Sequence, residues 1–333
     1  MNLLKLYIGM KPLKYCTFII FIIFLSACNS YKSNVPVIGF ADAFEDNTIE
    51  QAKNGFIDAL KANGFDEKKG TVKIIYRNAQ GSIPTLTQII RYFITENVTL
   101  IAANATLPTI TAIQNTKTIP VFMMVAATPE LMKLTDASGN PPPNLFGVGE
   151  NLQYIDTSFL LIPQILQAAH PNQPIKVGMI FNQSEPQSVE AINRIQKLAS
   201  VNHIQLVALP VNSSADVLLV TQSLLSKHID AFFANPDNTV FASFENIVQA
   251  CKQQKVPIFT SEAGLVARGA VAAFGANIYD WGYQAGTQAA EFLKSKTTKG
   301  LHWQMVKIRN RVYNATVARQ YHLQFPSDYK PIQ

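Results

Sequence analysis

The feature that most constrains this chain is an alternation of short apolar strand patterns with amphipathic helix patterns, run through once, interrupted by a proline-rich loop, and run through again. The first strand is predicted over 35–42 (VPVIGFAD). Ile49, Ala52, Phe56 and Leu60 then recur at helical period, with Asn47 and Glu50 at cap spacing and Gly64 as a stop. A strand over 72–77, a polar Asn78-Ala79-Gln80-Gly81 turn, a helix over 84–96, a strand over 100–103, a turn over 104–108, a further helix and a strand over 121–125 continue the pattern. One strand and one helix in each stretch of roughly 25 to 30 residues implies a parallel sheet with helices on both faces.

Residues 136–144, DASGNPPPN, read as a surface loop. Beyond them FGVGENL leads into a helix over 156–168, closed by His170-Pro171-Asn172, and strands over 176–181, 204–211, 230–234 and 257–260 are each followed by a helix. A strand over 271–274, a helix over 279–294 and a last extended segment over 303–308 complete the second of two similar halves.

The stretch 176–189, KVGMIFNQSEPQSV, shows the element on which function is expected to rest. A buried parallel strand runs into a polar turn, Ser184 and Gln187 have the spacing of a capping box, and Pro186 falls in the first helical turn. Such a turn exposes free N–H groups and the positive end of a helix dipole at the carboxyl edge of a sheet. Polar clusters of this kind close the strands: Ala41 to Phe44, Asn78 to Gln80, Asn104 to Thr106, Ala127-Thr128, Asn182 to Ser188, Asn235 to Thr239, and Thr260 to Glu262. If the two sheets face each other at these edges, the clusters line a cleft of hydroxyls, amides and a few acids that can hold a small polar ligand without covalent chemistry.

Other chemistries have no support. The chain lacks a G-x-G-x-x-G after its first strand, a G-x-x-x-x-G-K-[ST], an H-E-x-x-H and a G-x-S-x-G. Its five His are far apart, so neither a metal nor a cofactor is expected. Lys5, Lys11 and Lys14 precede an apolar run over 15–27 that is too short to span a bilayer. That run ends in Leu25-Ser26-Ala27-Cys28, which resembles the lipobox of bacterial lipoproteins; a plain signal peptide or signal anchor is the alternative. Residues 1–27 are thus expected to be removed, Cys28 to be acylated, and 29–34 to be a tether. With Asn29 and not an Asp after the Cys, a Gram-negative source implies anchoring in the outer membrane. Loss of the three Lys lowers the formal charge from +6 to +3, which argues against a nucleic-acid partner. Lys307, Arg309 and Arg311, spaced by two, read as the solvated face of an edge strand, and Cys251, the one mature Cys besides Cys28, as a half-buried helix residue.

The segments VGMIFNQSEPQS, FFANPDNTV, KVPIFTSEAGLVARGAVAAFG, YDWGYQAGTQAAEFL and IIYRNAQG together resemble the exported substrate-binding proteins of ABC transporters, of the type that binds tryptophan and other aromatic amino acids. The resemblance implies a type I periplasmic-binding-protein fold, an α/β architecture of two Rossmann-like lobes with parallel sheets, joined by three crossovers and closing on a ligand by hinge motion. The implied lobes are 35–148 plus 278–300 and 149–277 plus 301–333, with crossovers near Val148, Asn277 and Gly300. The implied partners are a small-molecule ligand, a membrane permease and, through the lipid, the membrane itself. By analogy Ser184, Ser188 and Thr239 hold a ligand carboxylate, Asp237 or Glu262 neutralises its ammonium, and Phe44 covers an apolar side chain. Asp42, Asn78, Gln80, Thr106, Asn182, Glu185 and Asn238 complete the expected lining. Ser184 and Asp237 could equally cap their own helices. The chain departs from the family at Ala127-Thr128-Pro129, where T-D-P is common, and at Ser82 and Asn277, where acids are usual. A ligand sensor acting through a membrane partner and an exported two-domain enzyme are the other readings, the latter without a nucleophile–base pair to support it.

Overall fold

The structure, a computed structural model, describes residues 35–167 and 174–332. The expected signal peptide, Cys28, the tether and the His170-Pro171-Asn172 stop lie outside these residues. β1 (Val37–Asp42) leads into α1 (Asn47–Ala62). The cap of α1 lies one residue earlier than the Asn47 spacing suggests, because the Asp46 carboxylate accepts from the Thr48 and Ile49 amides at 2.9 and 3.0 Å. β2 (Lys73–Asn78), α2 (Ile83–Thr95), β3 (Leu100–Asn104), α3 (Thr106–Asn115) and β4 (Val121–Ala127) follow as the periodicity requires. FGVGE, expected to be a lead-in to a helix, is instead a strand, β5 (Leu145–Glu150). Gly147 makes that strand possible: its φ is +91°, and a Cβ there would run into the Met123 carbonyl on the neighbouring strand.

The second half contains α4 (Tyr154–Leu166), β6 (Lys176–Asn182), α5 (Pro186–Val201), β7 (Gln205–Val211), α6 (Val217–Leu225), β8 (Ala231–Ala234), α7 (Asn238–Ala242), α8 (Phe244–Gln253), β9 (Ile258–Thr260), α9 (Ala263–Ala267) and β10 (Ala272–Ala276). α10 (Ile278–Ser295), β11 (Gln304–Met305), β12 (Arg309–Asn314), α11 (Ala315–Gln320) and β13 (Lys330–Ile332) end the chain.

One sheet has the order β11-β5-β4-β3-β1-β2 and the other β13-β12-β10-β9-β8-β6-β7. All pairings are parallel except β10 with β12. Within each sheet the strand order reverses beside the first strand of its half, between β1 and β3 and between β6 and β8. Such a switch point leaves a crevice at the carboxyl ends. The chain passes between the sheets after β5, after β10 and after β11. The third passage corrects an expected boundary: Gln304 and Met305 pair with Val148 and Gly149 of the first sheet, so the first lobe takes chain from beyond residue 300. The segment over 303–308 is also not the last extended one, since β12 and β13 extend the second sheet.

Adjacent strand residues serve opposite faces. Phe232 joins Ile180, Phe244 and Ile247 on one side of the second sheet, and Phe233 joins Phe159, Met179 and Phe259 on the other. Phe40, Phe56, Phe122 and Trp281 fill one side of the first sheet, and Ile90, Phe93, Ile101 and Met123 the other. With helices covering both faces, the strands must be apolar on both, which is why they appear in the sequence as continuous apolar runs. Cys251 is fully buried in α8, and burial pushes its thiol up to about 12.

Candidate ligand-binding cleft

The turns after β6 and β8 form one buried hydrogen-bonded unit. Asp237 is the N-cap of α7, with one carboxylate oxygen accepting from the Thr239 and Val240 amides at 2.8 and 3.0 Å. The other oxygen accepts from the Asn182 amide at 2.7 Å and the Ser188 hydroxyl at 2.6 Å. Glu185 reaches the same helix end, accepting from the Asn238 amide at 3.0 Å and the Asn238 side chain at 2.9 Å. Asn182 donates to Thr239 Oγ1 at 2.8 Å, and Asn235 to Ser188 Oγ at 2.7 Å. Burial first, then the charge of Asp237, pushes the Glu185 carboxyl up to about 8. Burial also raises Asp237, against the pull of its hydrogen bonds from Ser188 and the backbone amides. Burial thus holds both carboxyls of this pair above the usual carboxylate range, with backbone and side-chain donors converging on each.

These contacts leave Asp237 no free oxygen for a ligand ammonium; of the two roles expected for it, the structure shows the cap. Ser184 is exposed, with its amide bonded to Asn182 Oδ1 at 2.8 Å, and α5 starts at Pro186 with Glu185 at its N-cap. The expected Ser184–Gln187 capping box is therefore absent, because the Asn182 side chain has already turned the backbone.

Where the sheet edges face each other, Thr106, Val125, Ala126 and Ala127 from one lobe and Gln187, Pro236, Asn238, Phe241 and Glu262 from the other enclose a cavity of about 40 Å³. Glu150, Leu152 and Tyr154, along the first passage between lobes, and Trp281 complete its wall. The Tyr154 hydroxyl donates to Glu262 Oε1 at 2.8 Å. Burial pushes the Glu262 carboxyl up to about 8, with the Tyr154 hydrogen bond pulling it down and the Glu150 charge adding to the rise. Glu150 is held bidentately by Arg309, Nε at 2.9 Å and Nη2 at 2.7 Å. Arg309 thus does not lie on a solvated face as its spacing suggested. The cavity therefore has one cation-paired carboxylate and one without a cation.

On the first-lobe side, α3 begins at Thr106 with no side-chain cap, after Ala105 at φ 81°. Its first-turn N–H groups have no helical carbonyl to meet, so the positive end of the helix opens beside the cavity. The Ala127 amide donates to Thr106 Oγ1 at 3.1 Å, leaving the hydroxyl proton free to donate in turn. A bulge in β4 puts Val125 at φ 50°, a conformation that costs a β-branched residue about 1–3 kcal/mol and recurs at binding sites. The Trp281 indole N–H is bound to the Val148 carbonyl at 2.9 Å, leaving its ring as apolar wall.

Of the residues expected from sequence, Thr106, Asn238 and Glu262 line this cavity, and Asn182, Glu185, Ser188, Asp237 and Thr239 form the unit behind it. Asn78 and Gln80 build the turn after β2, where Asn78 accepts the Gln80 amide at 2.7 Å and Gln80 is exposed, and Phe44, from the turn after β1, lies against Gly81. Asp42 is buried beside Asn104 on β3, and burial lifts its carboxyl to about 6 against hydrogen bonds from Tyr76 and Asn104. Neither group of residues reaches the cavity wall. Sequence reasoning missed Glu150, Leu152, Tyr154, Gln187, Phe241 and Trp281. Gln187 has the spacing of a cap residue, and the aromatic residues have helix-face spacing that matches any core.

The lobes touch across the cleft. Arg268, at the end of α9, reaches Asp46 at 2.7 Å and Thr48 Oγ1 at 2.8 Å, and Ile49 is buried against the core of the second lobe. Gly264 admits Thr48, whose methyl group would collide with a Cβ there.

Residues 37–329 match the family described as ABC transporter substrate binding protein. The chain belongs to that family. It is 30% identical over 260 residues to the tyrosine-binding protein of Clostridioides difficile, covering 78% of this chain and 73% of that protein. A conserved domain protein from Vibrio cholerae superposes with a TM-score of 0.80 at 28% identity, over 90% of this chain and 100% of that one. The ABC domain of Streptococcus pneumoniae in complex with L-Trp also superposes at 0.80, with 20% identity, over 90% and 99%. The type I periplasmic-binding-protein fold expected from the sequence is thereby established. As a substrate-binding protein, the chain binds its ligand without transforming it, serves an ABC permease, and works on the outer side of the membrane. Ser82 and Asn277, standing where acids are usual in the resemblance, cap α2 and α10 through the Thr85 and Asp280 amides. Among the described residues no helix is long and apolar enough to cross a membrane.

Proposed function

We propose that this substrate-binding protein captures an amino acid with an aromatic or apolar side chain for uptake. The observation that carries this reading is Glu262: a buried carboxylate on the cavity wall, hydrogen-bonded by Tyr154, with no cation of its own. A ligand ammonium supplies that missing charge. The uncapped start of α3 and the Thr106 hydroxyl, on the other lobe, suit the ligand carboxylate. This reverses the polarity inferred by analogy, in which the second-lobe turn held the carboxylate; there the amides of α7 are already taken by Asp237 and Glu185. Phe241, Leu152 and Trp281 provide apolar surface for a side chain. The tyrosine-binding relative and the tryptophan-bound neighbour support the same ligand class.

The cavity has free volume for roughly three waters. An amino acid therefore enters with the lobes parted, and contacts such as Arg268 to Asp46 re-form around it. The test is isothermal titration of the mature chain against a panel of amino acids, amines lacking a carboxylate, and carboxylic acids lacking an amine. Binding by amino acids alone supports the reading; equal binding by a simple carboxylic acid refutes the role of Glu262.

A further inference from the structure

We propose that Gln187 reads a hydrogen-bonding group on the ligand side chain, so that the protein selects tyrosine or tryptophan over phenylalanine and leucine. The inference rests on the amino-acid reading above and deepens it. Among the described residues, several buried side-chain polar atoms have no partner, and Gln187 Oε1 is the one that belongs to a wall residue of the cavity. The other polar side chains of the wall each have at least one partner within the protein. Glu150 is held by Arg309, Glu262 by Tyr154, Thr106 by the Ala127 amide, and Asn238 by Glu185.

A buried polar atom left unpaired destabilises a fold, and a glutamine at this position has no capping role to offset that, since the expected capping box does not form. Its position is nevertheless tightly specified. Gln187 lies between Pro186, the first residue of α5, and Ser188, whose hydroxyl is clamped by Asn182, Asn235 and Asp237. The buried unit behind the cavity therefore holds the Gln187 backbone in place, and Gln187 shares the cavity wall with Phe241, Leu152 and Trp281. An unpaired amide oxygen on a wall residue that neighbours apolar Phe241, Leu152 and Trp281 suits an aromatic side chain that carries a donor, such as a phenol O–H or an indole N–H. Phenylalanine fills the same space and leaves the amide unpaired, and a site built in this way rejects the analogue lacking the polar group.

The experiment compares tyrosine, tryptophan, phenylalanine and leucine by isothermal titration on the wild-type chain and on Gln187→Leu, with thermal unfolding of each to confirm folding. In the wild type, tyrosine or tryptophan should bind at least tenfold more tightly than phenylalanine, about 1.4 kcal/mol. In Gln187→Leu that preference should fall below about threefold, through loss of tyrosine or tryptophan affinity with phenylalanine affinity held or improved. Phenylalanine matching the better of the two in the wild type, or a preference that survives in Gln187→Leu, overturns the inference while leaving the amino-acid reading intact. Failure of all four to bind overturns that reading and this inference with it. Should Gln187→Leu fail to fold, Gln187→Met, which keeps an unbranched side chain of similar length, takes its place with the same expected outcomes.

Discussion

Replacing Glu262 by Gln separates the charge of this group from its shape. The amide oxygen of Gln can still accept the Tyr154 hydroxyl, so the 2.8 Å contact is retained and only ionisation is lost. In the wild-type cleft, burial raises the carboxyl from its usual 4.5 to about 8. At about 1.4 kcal/mol per pH unit, ionising it there costs on the order of 5 kcal/mol more than in the unfolded chain. The folded chain thus holds a proton that the unfolded chain releases between pH 4.5 and 8. The group's contribution to stability is fully present below pH 4.5 and is lost as pH rises to about 8. A side-chain amide cannot ionise, so Glu262→Gln should lack this decline and at about pH 9, above the raised value, should unfold at a higher temperature than wild type.

Ligand binding should move the other way. An ammonium needs the ionised carboxylate, so wild type should release a proton on binding and gain affinity by up to about tenfold per pH unit from about pH 6 to 8. The variant should show little such dependence and should bind more weakly by about 2–5 kcal/mol, roughly thirtyfold to a few thousandfold, the range for deleting one member of a buried charge pair. Titration calorimetry in two buffers of different ionisation enthalpy reads the affinity and the proton release together. An affinity within threefold of wild type, or no proton release by wild type near neutral pH, would show that Glu262 does not meet a cation.

Further predictions concern the surrounding contacts. Asp237→Asn retains the cap of α7 but presents an NH2 group where the Asn182 amide and Ser188 hydroxyl now donate; it should lower unfolding free energy by about 1–3 kcal/mol in urea while ligand affinity of the folded fraction stays within about threefold. Arg268→Met removes the contacts to Asp46 and Thr48 across the cleft; for hydrogen bonds to a charged group, worth about 1.5–3 kcal/mol, ligand dissociation in stopped flow should quicken by roughly ten- to a hundredfold, and the ligand-free radius of gyration should increase in small-angle scattering. Cys28 should be the first residue of the mature chain and carry lipid, which mass spectrometry of the native N-terminus checks; an unmodified Cys28 or cleavage elsewhere removes the anchor.

Much of the fold was legible because strands covered on both faces are apolar runs and the helices between them repeat at about 3.6 residues. β5 is masked by its glycines: FGVGENL reads as the lead-in to a helix until the close approach of Gly147 to Met123 is seen. The boundary near Gly300 was misplaced because β11 is two residues long and has no period to detect. The site was legible as an address, with polar clusters at strand ends, but the role of each side chain was not. Asp237 has the same local sequence whether it caps α7 or faces a ligand, and its contact with the Asn182 amide, 55 residues away, decides between them.

What the sequence by itself determined is the two-fold βα repeat, the sheet edges where polar turns collect, and the resemblance that links them to ligand capture. Tertiary structure alone decided which of those polar groups satisfy one another and which remain for a ligand. Tyr154 meets Glu262 across 108 residues and Glu150 meets Arg309 across 159. A local pattern sets the direction in which a chain turns, whereas the charge balance of a cavity depends on every element that lines it, and those elements meet only when the lobes are assembled.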